Sequence, residues 1–221
     1  MAVIAVYSVK GGVGKTTLAA NLAFCCASSS RRRTLVWDLD AAGGAGFLLG
    51  VDPPPANTGR GAARRIFARE TPPEALIVPT PFEGLDLLPA DRSLWELDAQ
   101  LAALGKKRRL AKLAEGLAAQ YPRIVLDCPP VLNAISAAVL RAADVVIVPL
   151  PPSPLSARAF EVVAEAVKGA GKRHPPMLPV LSMVDRRRTL HRVAIAKHFG
   201  WPAIPLASVI EQCAVRRAPV G

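Results

Sequence analysis

An apolar run from Ala2 to Tyr7 gives way to VKGGVGKTT, and that loop passes directly into an Ala- and Leu-rich segment from Thr16 to Ala27. Thr34 to Trp37 is a second apolar run, and it closes on Asp38 and Asp40. Strand, glycine loop, helix and strand within about 40 residues are the signal for a parallel sheet with crossover helices. No other stretch restricts the fold as much, because a parallel sheet needs both of its faces covered.

The loop also has a chemistry. Where glycines follow a strand and open a helix, backbone N–H groups and the positive end of the helix dipole point at one place, and phosphates bind there. Gly11, Gly12 and Gly14 allow that close approach and the dihedrals it requires. Val13 and Thr17 complete the stretch around the phosphates. Lys15 is placed to contact the β- and γ-phosphates of a nucleotide, and the Thr16 hydroxyl to bind Mg²⁺. The generic phosphate-loop pattern has a glycine with four residues between it and Gly14, yet Val9 stands there. What the loop has instead is an early lysine, Lys10, that a one-lysine cradle does not need.

Later Val/Ile/Leu runs continue the same architecture. Ile124–Asp127, Val145–Leu150 and Leu178–Val184 read as strands buried on both faces, with helical patterns around Ala134–Ala142 and Ser156–Lys168. A last short strand is expected to end at Ile204-Pro205. Leu85–Leu88 is a further strand candidate, and Ser93 is placed to cap the helix after it. Residues 52 to 95 are the least regular, broken by DPPPANTGRGAARR and TPPEALIVPTPFEG. With 221 residues, no internal repeat and no long linker, the chain is expected to be one domain, 1–221.

Composition narrows the function classes. Half of the residues are hydrophobic and a fifth charged, which suits a globular protein and not a disordered one. No apolar run reaches the roughly 20 residues needed to cross a bilayer. Cys25, Cys26, Cys128 and Cys213 have no CxxC spacing, so neither a zinc site nor a disulfide framework is indicated, and a reducing cytoplasm fits. Lys and Arg number 28 against 17 Asp and Glu, a net charge of +11. That excess favours polyanions such as nucleic acid, anionic lipid or nucleotide phosphate, or else it dresses a solvated surface.

Four ordered motifs together resemble the ParA/MinD family of P-loop ATPases. VKGGVGKTT resembles its deviant Walker A loop, VWDLDAAGGAGFLLG its switch I region and RIVLDCPP its Walker B and switch II. VVIVPLPPSPLSARAFEVV resembles the strand and helix that follow, and LSMVDRRRTLHR the late strand and base-binding loop. The resemblance runs from Met1 to about Val220. It implies a P-loop NTPase fold, α/β in three α/β/α layers with a mostly parallel central sheet. It also implies an ATPase using ATP and Mg²⁺, slow and stimulated by a partner.

Residue by residue, the resemblance gives Lys10 a role in trans. Two ATP-bound subunits face each other, and the early lysine of each reaches the other's phosphates, as an arginine finger does. Asp127 holds the Mg²⁺ shell in the Walker B position, Asp38 sits beside it, and Asp40 orients the attacking water. Asp185 and Pro205 fall where the family contacts the base, although an Asp after a strand is also a common turn former. Switch I departs from the family in having Ala41-Ala42 where Pro-Gln is common. Cys128 replaces the more usual Ala and reads as a small buried residue.

Within the family the chain resembles the ParA type most. The resemblance implies an ATP-state homodimer, non-specific DNA binding, and a ParB-like or other cargo adaptor in partitioning or positioning. The protein would then be cytoplasmic, nucleoid-associated when ATP-bound, and without stable membrane association. Arg186, Arg187, Arg188 and Arg192, with Arg216 and Arg217, are the candidate DNA contacts. Lys106, Lys107, Arg108 and Arg109 read as a solvated helix face. A MinD-like membrane-associated ATPase is the alternative, but its amphipathic C-terminal helix has no counterpart before Gly221, where family members normally continue into a further helix. An iron-protein reductase of the nitrogenase type would need two cysteines placed to hold a cluster between subunits, and none of the four resembles that arrangement.

Overall fold

A computed structural model describes residues 1–51, 61–104, 108–171 and 174–220. Its centre is a sheet in which eight strands are described: β1 (Ala2–Val6), β2 (Thr34–Asp38), β3 (Val78–Pro79), β4 (Leu85–Leu88), β5 (Arg123–Asp127), β6 (Val145–Leu150), β7 (Met177–Val184) and β8 (Ala203–Pro205). They are ordered β3-β4-β2-β5-β1-β6-β7-β8. Every pairing is parallel except β3 with β4.

Both faces are covered, as the apolar runs require. Along β2, Leu35 and Trp37 join one core cluster and Val36 joins another; along β5, Ile124 and Leu126 face the first and Val125 the second. That is the two-residue alternation of a strand, hidden in the sequence because both sides are apolar. The second cluster is built on α1 (Lys15–Ser30), which buries Ala19, Ala20, Ala23 and Ala27. Four alanines let the helix axis lie close to the strands. The larger cluster collects Leu and Val side chains from α4 (Leu94–Leu104), α5 (Arg109–Gly116), α6 (Ala134–Ala142) and α7 (Pro154–Gly169).

Strand and helix limits match the sequence reading closely, with β6 and α6 identical to it. The irregular stretch before residue 95 holds more order than its prolines suggest. Beyond α2 (Gly44–Leu48) it contains α3 (Ala62–Ala68), a 3-10 turn at Pro73–Leu76 and the antiparallel strand β3. Residues 52–60 lie outside the described residues.

Two expectations are corrected. Ser93 does not turn its hydroxyl to its own helix; its Oγ accepts a hydrogen bond from the Arg64 backbone N–H at 3.1 Å and so ties α3 to the start of α4. The chain is held there by Asp91, whose carboxylate accepts from the backbone of Ser93 and Ala63 at 2.6 Å each. Arg109 is not on a solvated face. It is buried at the start of α5, and its Nε has no hydrogen-bond partner. Arg108 is exposed and lies 3.7 Å from Glu115, while Lys106 and Lys107 lie outside the described residues.

Among the described residues no helix is long and apolar enough to cross a membrane. The sheet order carries the functional consequence. β5 lies between β1 and β2, so the loops after these three strands meet at one end of the sheet. In open parallel sheets that end is where ligands bind.

Candidate nucleotide site

The glycine loop follows β1 and delivers the chain into α1. Gly12 and Gly14 have φ of 67° and 87°, left-handed values that favour glycine. A Cβ built at Gly11 or Gly12 would meet nothing within 4 Å, so the loop faces open space. Gly14 occupies the N-cap of α1 and offers no side chain to cap it, so the first backbone N–H groups of the helix point outward for an anion. The loop is fixed from below by Ser182, whose hydroxyl donates to the Val13 carbonyl at 3.1 Å.

Lys15 is only 7% exposed, and its ammonium donates to the Lys10 carbonyl at 3.3 Å. Burial pulls its pKa below the usual lysine value, with Asp127 and Asp40 pulling the other way. Stripping water from a cation in this manner strengthens its attraction for any anion brought to it.

Two carboxylates stand at the ends of neighbouring strands, with Asp38 of β2 in register with Asp127 of β5. Both are buried, at 1% and 0% exposure. Asp38 accepts backbone N–H bonds from Asp40 at 3.0 Å and Ala45 at 3.1 Å. Neither oxygen of Asp127 has a hydrogen-bond partner. Burial pushes the Asp127 carboxyl up to about 7, against the pull of the neighbouring Thr16 and Lys15. Asp38 is pushed well up by burial and then by the Asp127 charge. Two buried acids with an orphaned pair of oxygens fit a cation. The donor set, a hydroxyl and one or two carboxylates without a full protein cage, suits Mg²⁺ carried in with phosphates.

Switch I packs against the same point. A Cβ on Gly44, the first residue of α2, would lie 3.1 Å from Cγ2 of Thr16 and 3.7 Å from its Oγ1. Ahead of it, Asp40 closes a tight turn: its carbonyl accepts from Gly43 N–H at 2.9 Å and its Oδ1 from Ala42 N–H at 3.0 Å. Asp40 therefore holds the turn without the Pro-Gln pair that the family commonly has there.

A largely apolar cavity of about 580 Å³ opens beside the loop, walled by Val13, Gly14, Thr17, Met183, Pro205 and Leu206 among others. Pro205 is part of this wall, and Asp185 does not line the cavity. The Asp185 carboxylate is bound instead by Arg187 at 3.0 and 3.1 Å, with Arg188 at 3.6 Å. The Arg187 hydrogen bonds hold its pKa down at about 2. Met183, which the sequence did not single out, enters the wall with φ of 53°, a left-handed value unusual for a side-chain-bearing residue.

The remaining candidates are scattered. Lys10 is folded toward its own chain, with Nζ 3.4 Å from the Ser153 hydroxyl and 3.3 Å from that of Ser156. Arg192 donates to the backbone carbonyls of Arg186 and Arg187, and Arg186 and Arg216 are exposed. Arg217 stacks over the Phe47 ring at 5.1 Å and donates through Nε to the Phe47 carbonyl at 3.4 Å.

Known proteins share this arrangement. The profile of the AAA domain family matches residues 1–179. The chromosome partitioning protein ParA of Myxococcus xanthus is 37% identical over 149 residues, 67% of this chain and 51% of the relative, so the match spans about half of that protein. ParA of Caulobacter vibrioides is 32% identical over 208 residues, 90% of this chain and 76% of the relative. Cobyrinic acid a,c-diamide synthase from Mycobacterium smegmatis, crystallised with bound ATP analog and magnesium, superposes with a TM-score of 0.82 and 28% identity, over 98% of this chain and 91% of that one. On its loop, its paired acids, its sheet order and these relatives, the chain belongs to the ParA/MinD-type P-loop ATPases.

Proposed function

We propose that this chain is a ParA-type positioning ATPase, which binds and hydrolyses ATP with Mg²⁺ and pairs with a second copy in the ATP state. The observation that carries the reading is the meeting of an open glycine cradle, a dehydrated Lys15 and the orphaned Asp127 carboxylate at the ends of β1 and β5. Backbone N–H groups of residues 11–17 and the Lys15 ammonium bind the phosphates. The Thr16 hydroxyl, Asp127 and Asp38 would hold Mg²⁺, which would supply neutralisation of the phosphate charge. Asp40 accepts a hydrogen bond from the attacking water and aligns it. The cavity beside Pro205 receives the base.

Pairing is supported by the surface around the loop. Val131 and Leu132, just after β5, and Leu155, at the start of α7, are 42%, 57% and 68% exposed. Large apolar side chains exposed beside a charged site mark a contact surface. Lys10, on the same side, reaches the partner's phosphates in the dimer. The ATP-state dimer then binds DNA without sequence preference through exposed arginines. It responds to a ParB-like or other cargo adaptor, in the cytoplasm and on the nucleoid. Size-exclusion chromatography of the Asp40→Ala protein with ATP and Mg²⁺, with and without DNA, tests the nucleotide, the dimer and the polyanion together. A monomer under every condition would overturn the reading.

A further inference from the structure

Buried donors without partners gather at one edge of the molecule. The Nε atoms of Arg65 and Arg109 are both sealed from solvent with nothing to bond. Arg65 and Arg69 stand four residues apart, on one side of α3 and its C-terminal end. Arg109 opens α5 close by, near enough that the Arg69 charge joins burial in pulling the Arg109 pKa below the usual arginine value. Arg109 is 8% exposed and Arg69 is exposed, so a buried guanidinium adjoins one that is open to solvent. Ile66, Phe67 and Leu110 tie both helices to the larger core cluster, whereas α1 builds the other. This edge is therefore on the opposite face of the sheet from α1.

No acid of the chain neutralises the group. Among the described residues no carboxylate lies within ion-pair distance of Arg65, Arg69 or Arg109, that of Glu70, next in the chain, included. Arg109 also makes no hydrogen bond through its guanidinium. The start of α5 adds to the imbalance, since no side chain caps it and its first turn has no acid. A cation taken out of water without a partner is costly, and a like charge beside it costs more. The partnerless Asp127 oxygens fit a cation, and the partnerless Arg109 guanidinium fits an anion.

We propose that Arg69 and Arg109, flanked by Arg65, form a second anion site where α3 meets α5, and that it takes a compact, doubly charged oxyanion of the phosphate type. The guanidinium fork matches the oxygens of such an anion, and two adjacent cations balance two charges. A nucleic-acid backbone fits less well. It is held by side chains that reach out from the surface, and Arg109 is set too deep to reach one.

The melting temperature of the full chain in inorganic phosphate, against chloride at equal ionic strength, tests the site. Mg²⁺ and a slowly hydrolysed ATP analogue are present throughout, so that the glycine cradle is filled. Phosphate is expected to raise the melting temperature of the parent and to saturate. Arg69→Gln is expected to melt like the parent in chloride and to need about tenfold more phosphate for the same rise. Arg109→Met keeps an apolar stem without the charge; it is expected to melt at or above the parent in chloride and to lose the phosphate response. Arg216→Gln removes an exposed arginine elsewhere and is expected to respond as the parent does. A parent that responds to phosphate no more than to chloride, or a response that survives both Arg69→Gln and Arg109→Met, would overturn the proposal. So would a rise given by short duplex DNA and not by phosphate. If Arg109→Met does not fold, Arg69→Gln decides alone. The nucleotide reading fails separately, by an analogue that leaves the melting temperature unmoved, and the comparison of parent with Arg69→Gln in phosphate still decides this site.

Discussion

Asp38 and Asp127 are paired Cα to Cα on adjacent parallel strands, both buried, and only Asp38 has hydrogen-bond partners for its carboxylate. The arrangement is unfavourable for an empty protein and favourable for one holding a cation. Asp127→Asn should therefore stabilise the nucleotide-free protein by about 1 to 2 kcal/mol while abolishing the stabilisation by Mg²⁺ and ATP. Scanning calorimetry with and without both ligands checks this. A variant that melts no higher than the parent when empty would show that the paired charges are not strained.

Asp40 holds the turn to Ala42, and the proposed mechanism gives it a second, separable task in aligning the water. Asp40→Asn keeps an oxygen for the Ala42 N–H but is a poor proton acceptor, whereas Asp40→Ala loses both functions. Turnover is expected to fall about a hundredfold or more in each, with ATP-bound dimer accumulating. If Asp40→Asn turns over like the parent, the residue serves the turn alone.

Much of this site is legible in the order of residues alone. The glycine loop, Asp38 and Asp127 sit at the ends of apolar runs, and strand ends are marked by the change from apolar to polar residues. The serines around Lys10 are not legible in that way, because they lie 143 and 146 positions away and only the sheet order brings β6 and α7 beside β1. Nor does α3 show in a stretch dominated by Pro and Gly, since its helix is short and is held by tertiary bonds to Asp91 and Ser93. Nor is the environment of Asp185 legible beforehand: its carboxylate is taken up by two of the three arginines that follow it, Arg187 and Arg188.

The two C-terminal arginines should behave differently. Arg217 is engaged with Phe47 of α2, and the tail beyond it is tied to α1 by the Val220 N–H bond to Asn21 at 2.7 Å. Arg216 is exposed at the end of α9 (Ser208–Arg216). Arg216→Glu is expected to weaken DNA retention and flatten its salt dependence with an unchanged melting temperature. Arg217→Glu is expected to lower the melting temperature by a few degrees, for a loss of about 1 kcal/mol. Equal effects on both readouts would show that the two residues are not separated as the fold separates them.

Tyr121, under the sheet far from the loop, gives the protein an alkaline limit. Its hydroxyl donates to Asp86 at 2.9 Å, and Arg33 bonds the same carboxylate while lying over the ring. Burial first, then the Asp86 carboxylate, pushes the phenol up to about 12, with Arg33 opposing. In an unfolded chain the same phenol ionises near 10. Between these values the folded protein keeps a proton that the unfolded chain has lost, so alkali draws the equilibrium toward unfolding. The contribution is complete below about pH 10 and disappears as pH rises through about 12. Tyr7, the other tyrosine, is raised in the same direction by burial, so folded protein should show little tyrosinate absorbance where free tyrosine is half ionised. Urea midpoints from about pH 8 to about pH 11 should fall more steeply for the parent than for Tyr121→Phe, which keeps the ring but has no proton to lose. Parallel pH profiles for the two proteins would mean that Asp86 and Arg33 hold each other without help from the phenol.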